Sequence, residues 1–178
     1  YKGLLIVDEA YIDFYGGSSL KLIKKYDNVI VTRSFSKSYS LAGCRIGLAL
    51  ANKDIIRGFM KIKDSYNIDA LAQVAAYYAL EDTKSFSYNI TMMKNNKEYL
   101  EERLESFGFT IIPSKANFLF VKHKDIDSHF LYEELKKRKI FIRYFQGEIQ
   151  SEYARITVGT MMEIKQLCNE LDSIMESL

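Results

Sequence analysis

The 178-residue chain has room for one or two compact domains, and its 48% apolar and aromatic residues can build a sizeable core. A net charge of only +2, with both signs mixed along the chain, argues against nucleic-acid or polybasic membrane binding, and no apolar run approaches the about 20 residues needed to span a bilayer. Cys44 and Cys168 lie far apart without metal-ligand spacing, so no metal site and a reduced, cytoplasmic setting are expected.

The chain opens at Tyr1 and enters "LLIV" within three residues. Leu4 to Val7 reads as a fully buried strand that stops at Asp8-Glu9. Such a strand needs neighbours on both sides, so the chain is expected to be a piece of a longer polypeptide or one trimmed inside a domain. Leu20 to Tyr26 reads as a short helix and "NVIVTR", Asn28 to Arg33, as a second strand. A Ser-rich loop around Lys37 follows, then a third strand, Arg45 to Ala51. Apolar strands with a helical stretch between them predict an α/β sheet covered on both faces. Asp54 to Lys63, Asp69 to Leu80 and Thr83 to Phe107 read as helices, the last with a dense charged face and a glycine, Gly108, just past its end.

A composition shift follows. Phe109 to Ile112 and Asn117 to Lys122 read as strands, Ser128 to Lys139 as a helix, and Ile140 to Arg143 and Tyr153 to Val158 as strands. Thr160 with Glu163 fits a capping box opening the final helix. The expected divisions are 1–80, a connecting helix over 81–107, and a small α+β domain over 108–178. There is no internal repeat and no low-complexity tract.

The chemistry concentrates in "SFSKSYSLAGCRIG", residues 34 to 47. A free lysine has a pKa near 10.4 and is not nucleophilic at neutral pH. Covalent catalysis requires a lowered pKa or a Schiff base. Around Lys37, Ser34 and Ser36 offer hydroxyls and Arg45 a guanidinium, a donor set suited to a phosphate. A lysine beside a phosphate cradle suggests pyridoxal phosphate; taken alone, the loop reads more simply as a solvated turn. Asp8 ends a strand, and in open α/β sheets ligands sit beyond the carboxyl ends of strands. A carboxylate there could pair with a pyridine nitrogen and make the ring an electron sink, with Tyr11 in reach of the ring oxygen; taken alone, Asp8-Glu9 reads as a turn or cap. Arg143 and Arg155 could bind one acidic group if their strands pair; otherwise they are edge-strand arginines in surface ion pairs.

"VDEAYIDF", "TRSFSKSYSLAGCRIG" and "RITVGT", in that order and nearly spanning the chain, resemble the histidinol-phosphate aminotransferases, within the large class of pyridoxal 5'-phosphate enzymes of aspartate-aminotransferase fold. The resemblance covers that family's second half. It implies part of the large-domain sheet with helices, a long interdomain helix and a small C-terminal domain. It makes Lys37 the Schiff-base lysine, Asp8 the pyridinium partner and Tyr11 the ligand of the ring oxygen. Ser34, Ser36 and Arg45 become phosphate ligands, and Arg155 and Arg143 substrate ligands. It also implies transamination between histidinol phosphate with 2-oxoglutarate and imidazole-acetol phosphate with glutamate, in histidine biosynthesis, by a homodimer when full length. Cys44 stands where leucine is common and Ser65 where proline is common. The family's N-terminal half, with its phosphate-binding loop, its ring-stacking aromatic and an asparagine on the ring oxygen, is absent. Within the same family a threonine-phosphate decarboxylase or a general aromatic aminotransferase is the nearest rival. A non-catalytic fragment is the rival of another class.

Overall fold

The computed structural model describes residues 1–178, which divide into two compact units, Tyr1–Ile90 and Thr91–Leu178. In the first unit three strands, β1 (Leu5–Asp8), β2 (Val29–Ser34) and β3 (Gly47–Ala51), lie in the order β1-β2-β3. β1 runs parallel to β2, with Asp8 opposite Thr32, and β3 runs antiparallel, with Ser34 opposite Gly47. The carboxyl ends of β1 and β2 and the start of β3 therefore share one edge.

β2 is central, and its Val29, Ile30 and Val31 are buried. β1 departs from the burial expected of it: Ile6 is 63% exposed and Leu4 and Leu5 are also exposed. The strand assignment holds, but β1 is an edge strand paired on one side only, and its apolar side chains are not covered on the sheet's faces. A four-residue helix, α1 (Ile12–Tyr15), follows β1. The helix expected over Leu20–Tyr26 is a 3₁₀ segment, Ser19–Lys24, started by the Ser18 hydroxyl accepting from the Leu20 amide.

β3 begins two residues later than expected, because Arg45 sits in the left-handed region (φ 53°) and Phe35 N–H bonds Ile46 C=O before the ladder continues. Gly47 is needed there: a Cβ would stand 3.0 Å from the Arg33 carbonyl oxygen across the pair. Helices α2 (Lys53–Ile62) and α3 (Ala70–Glu81) follow, capped by Asn52 and Asp69. Ala72 and Ala76 of α3 pack with Phe35 and Ile46 in a small core, while Leu71, Val74, Tyr77 and Tyr78 are exposed. α4 (Thr83–Ser106) is the long helix expected from its periodicity, and the boundary between units falls within it.

The second unit has the order β4-β5-β7-β6, all antiparallel, from β4 (Phe109–Ile112), β5 (Phe118–His123), β6 (Arg143–Tyr144) and β7 (Ala154–Thr157). α5 (Ser128–Lys137) and α6 (Met161–Glu176) supply Leu131, Leu135, Ile164, Leu167, Leu171 and Ile174 to one core with Leu119 and Val121. The Thr160–Glu163 capping box forms as expected. The strand expected over Ile140–Arg143 is only Arg143–Tyr144. Ile140 N–H instead bonds Leu135 C=O at the end of α5, and Ile142 drops into the core. A buried connector thus carried a strand's apolar pattern.

Candidate active site

The shared edge of the first sheet gathers most of the predicted site. Asp8 ends β1, and its Oδ1 accepts from Ala10 N–H (3.0 Å) and Thr32 Oγ1 (3.3 Å). Both bonds fall on one oxygen, which leaves Oδ2 capacity for a further donor. Ser34 ends β2 and its Oγ accepts from Ser36 N–H at 3.0 Å. The loop from Phe35 to Ile46 then folds back on itself. Leu41 N–H bonds Phe35 C=O, Ser40 N–H bonds Lys37 C=O, and Ser40 and Arg45 both hold positive φ. Left-handed non-glycine residues cost about 1 kcal/mol or more each and gather at functional sites. Lys37 is exposed, and its Nζ lies 5.6 Å from the centre of the Tyr11 ring. Arg45, also exposed, donates from Nη1 to Ala42 C=O, leaving most of its guanidinium donors for other acceptors.

Beneath this edge lies a group that sequence reasoning missed. Glu9 is 5% exposed. Its carboxylate accepts from Ser19 N–H (2.5 Å), Ser18 Oγ (2.8 Å), and Arg33 Nε and Nη2 (3.2 and 3.1 Å). Burial alone would push its carboxyl up, but the bonds from Ser19, Ser18 and Arg33 outweigh it and hold the group below the usual carboxylate range. Glu9 thus ties the end of β1 to β2 directly behind Asp8 and Ser34. The adjacent acidic residues were the only sequence signal, and Arg33 stands 24 positions away. Asp13 of α1 and Ser38, next to Lys37, are a second missed pair: Ser38 Oγ donates to Asp13 Oδ2.

The two predicted arginines belong to the second unit. β6 and β7 do pair, and Arg143 and Arg155 are directly opposite. Both guanidiniums lie against Phe145, with centroid distances of 5.4 and 5.7 Å, and Arg155 also lies 5.1 Å from the Phe118 ring centre. The Arg155 Nε is buried and has no hydrogen-bond partner. Arg155 borders a cavity of about 400 Å³ lined also by Ile112, Ser114, Phe118, Phe120 and Phe145. One wall is held from behind by Lys97, a 9% exposed lysine whose ammonium donates to the carbonyls of Ser114 and Ala116 (3.1 Å to the latter). Burial pushes the Lys97 amine below the usual lysine range. An apolar cavity bordered by a guanidinium is suited to an organic anion.

A family model described as aminotransferase class I and II matches residues 1–171. The histidinol-phosphate aminotransferase of Geobacter sp. (strain M21) is 43% identical over 170 residues, 96% of this chain and 49% of that protein. The crystal structure of the histidinol-phosphate aminotransferase from Clostridium acetobutylicum superposes with a TM-score of 0.89 at 26% identity, over 98% of this chain and 55% of that one. That of the Sinorhizobium meliloti histidinol-phosphate aminotransferase in complex with pyridoxal-5'-phosphate gives 0.87 at 26%, over 98% and 49%. The chain spans about half the length of the curated relatives it matches.

Proposed function

The chain belongs to the aminotransferase class I and II family, and on that premise we propose that its function is pyridoxal-phosphate-dependent transamination of histidinol phosphate with 2-oxoglutarate, in the reversible reaction that gives imidazole-acetol phosphate and glutamate. The observation that carries the reading is the shared sheet edge, where Asp8, Ser34 and the Lys37 loop sit on adjacent strand ends. The donor set fits the cofactor: one carboxylate oxygen with spare capacity, two serines, one arginine and one lysine.

When bound, the cofactor's ring supplies an electron sink for charge developing at the substrate carbon. Lys37 Nζ would hold the cofactor covalently, and its free amine would serve as the base that moves the proton on the substrate carbon. The Asp8 carboxylate would keep the ring nitrogen protonated. Tyr11 would bond the ring oxygen, and Ser34, Ser36 and Arg45 would hold the phosphate. Arg155 and Arg143 take the acidic group of the substrate, and a planar guanidinium suits a carboxylate and a phosphate alike. Histidine biosynthesis, a homodimeric full-length protein and a cytoplasmic setting belong to the same proposal, with the partition of the chain at 80 and 107.

The test is direct. The protein containing this chain is assayed with histidinol phosphate plus 2-oxoglutarate, and separately with threonine phosphate alone. Turnover of the first pair that disappears in Lys37→Ala supports the reading. Carbon dioxide release from threonine phosphate would replace it with a decarboxylase. In the 178-residue chain, incubation with pyridoxal phosphate and borohydride should leave a reduced adduct on Lys37, and its absence would favour a non-catalytic fragment.

A further inference from the structure

We propose that the half-buried hydrogen bond between Ser38 and Asp13 is a positioning pair that sets Lys37 against Tyr11. The functional weight of Lys37 rests on the reading above; the geometry stands apart from it. Ser38 is 4% exposed and directly follows Lys37. Asp13 is half-buried on α1, two residues past Tyr11. The Ser38 Oγ bond to Asp13 Oδ2, across 25 residues, therefore joins the segment that carries the lysine to the segment that carries the tyrosine.

The tyrosine side is tied back to the buried Glu9, whose carbonyl accepts from Ile12 N–H. α1 is four residues long, has no side-chain cap at its N-terminus and buries only Phe14. One turn of helix is marginal without tertiary support. On the lysine side the loop closes through Leu41 N–H on Phe35 C=O, and Tyr39 stacks on Phe86 and lies tilted against Phe35, with ring centres at 4.6 and 4.9 Å. Burial, and secondarily the charge of Asp13, push the Tyr39 hydroxyl up, which agrees with a carboxylate facing this loop. Ser38 and Asp13 thus tie the lysine loop to a one-turn helix. A lysine side chain has about 2 kcal/mol of rotamer entropy to lose, so a fixed base and a fixed ring face narrow where its amine can lie.

The test uses the 178-residue chain in four forms: wild type, Ser38→Ala, Asp13→Ala and Asp13→Asn. Lysines are competitively labelled by reductive methylation and quantified by mass spectrometry, with exposed Lys53 and Lys84 as internal references. Release from the Tyr11 face should make Lys37 label faster relative to both references in Ser38→Ala and Asp13→Ala. Asp13→Asn keeps an acceptor oxygen of the same shape and should return the ratio to within about twofold of wild type. Amide exchange over residues 10–15 and 36–41 should rise together in the two alanine variants, by roughly tenfold to a hundredfold for a bond to a charged group. An unchanged Lys37 ratio in both alanine variants overturns the proposal, as does an asparagine variant that behaves like alanine while retaining the native circular dichroism. If one alanine variant does not fold, the other and Asp13→Asn decide by the same criteria. Failure to trap a cofactor adduct on wild-type Lys37 would count against the functional reading alone.

Discussion

Glu9→Gln keeps the shape of the side chain and removes its charge. In the native chain the carboxylate is 3% exposed and pairs with an Arg33 guanidinium that is 30% exposed. Its four donors are Ser19 N–H, Ser18 Oγ, and the Nε and Nη2 of Arg33. In the variant one amide oxygen can still serve Arg33 and Ser18, but the amide nitrogen then faces the Ser19 N–H, donor against donor. Breaking a buried pair costs about 3–5 kcal/mol. Water can reach the partly exposed guanidinium, so about 2–4 kcal/mol is expected here. Amides of β2 should then exchange roughly thirtyfold to several hundredfold faster at neutral pH. The sign with pH is fixed by the lowered Glu9 pKa. Its contribution is fully present above the unfolded value near 4.3 and is lost as pH falls through the depressed folded value. The gap between wild type and variant, followed by urea unfolding in far-UV circular dichroism because the chain has no tryptophan, should therefore narrow in acid. The control is Asp54→Ala, which breaks an Arg57 pair exposed by 71% and 74% and should cost less than about 0.5 kcal/mol. A Glu9→Gln loss no larger than that of the control, or a gap that does not narrow in acid, would refute the reasoning.

Arg155→Lys keeps the charge and loses the fork; the Michaelis constant for the acidic substrates should rise roughly tenfold to a hundredfold with cofactor affinity unchanged, measured by steady-state kinetics and absorbance titration. Lys97→Met strands the carbonyls of Ser114 and Ala116; a loss of about 1–3 kcal/mol is expected in urea unfolding, with faster exchange over residues 113–117. Leu119→Ala empties a site at 0% exposure and should cost about 2–5 kcal/mol by the same unfolding measurement.

The order of elements was legible because local pattern decides it. Val29 to Val31 is an apolar run in a strand buried on both sides, and Thr160 with Glu163 announces a helix start by residue type alone. Pattern failed where a distant partner sets the outcome. Ile140 and Ile142 look like alternate strand positions, yet one closes a helix end and the other fills the core. Arg45 looked like the first residue of a strand until its left-handed backbone moved that start to Gly47. The apolar Leu4 to Ile6 fixed the strand but not its burial, which depends on what covers the sheet's faces. Within the candidate site, the strand-end acid, the lysine loop and the arginine pair could be picked out by chemistry. The supports behind them could not: Glu9 needs Arg33, Ser38 needs Asp13 and Lys97 needs Ser114, and each partner lies 17 to 25 residues away.

The facing of Arg143 and Arg155 across β6 and β7 carries an electrostatic cost. Two positive charges directly opposite on neighbouring strands repel, and β6, only two residues long, has little ladder with which to resist. That edge therefore carries an unfavourable charge pair. An anion settling between the guanidiniums would turn the repulsion into a bridge, so the edge of the sheet should be ordered by its own ligand. By mass action, a dianion at a hundred times its dissociation constant would add about 2.7 kcal/mol to the stability of this unit. Chloride, too weak a counter-ion for a bidentate fork, would do far less, and buffer composition would then set how firmly the last strand is fastened.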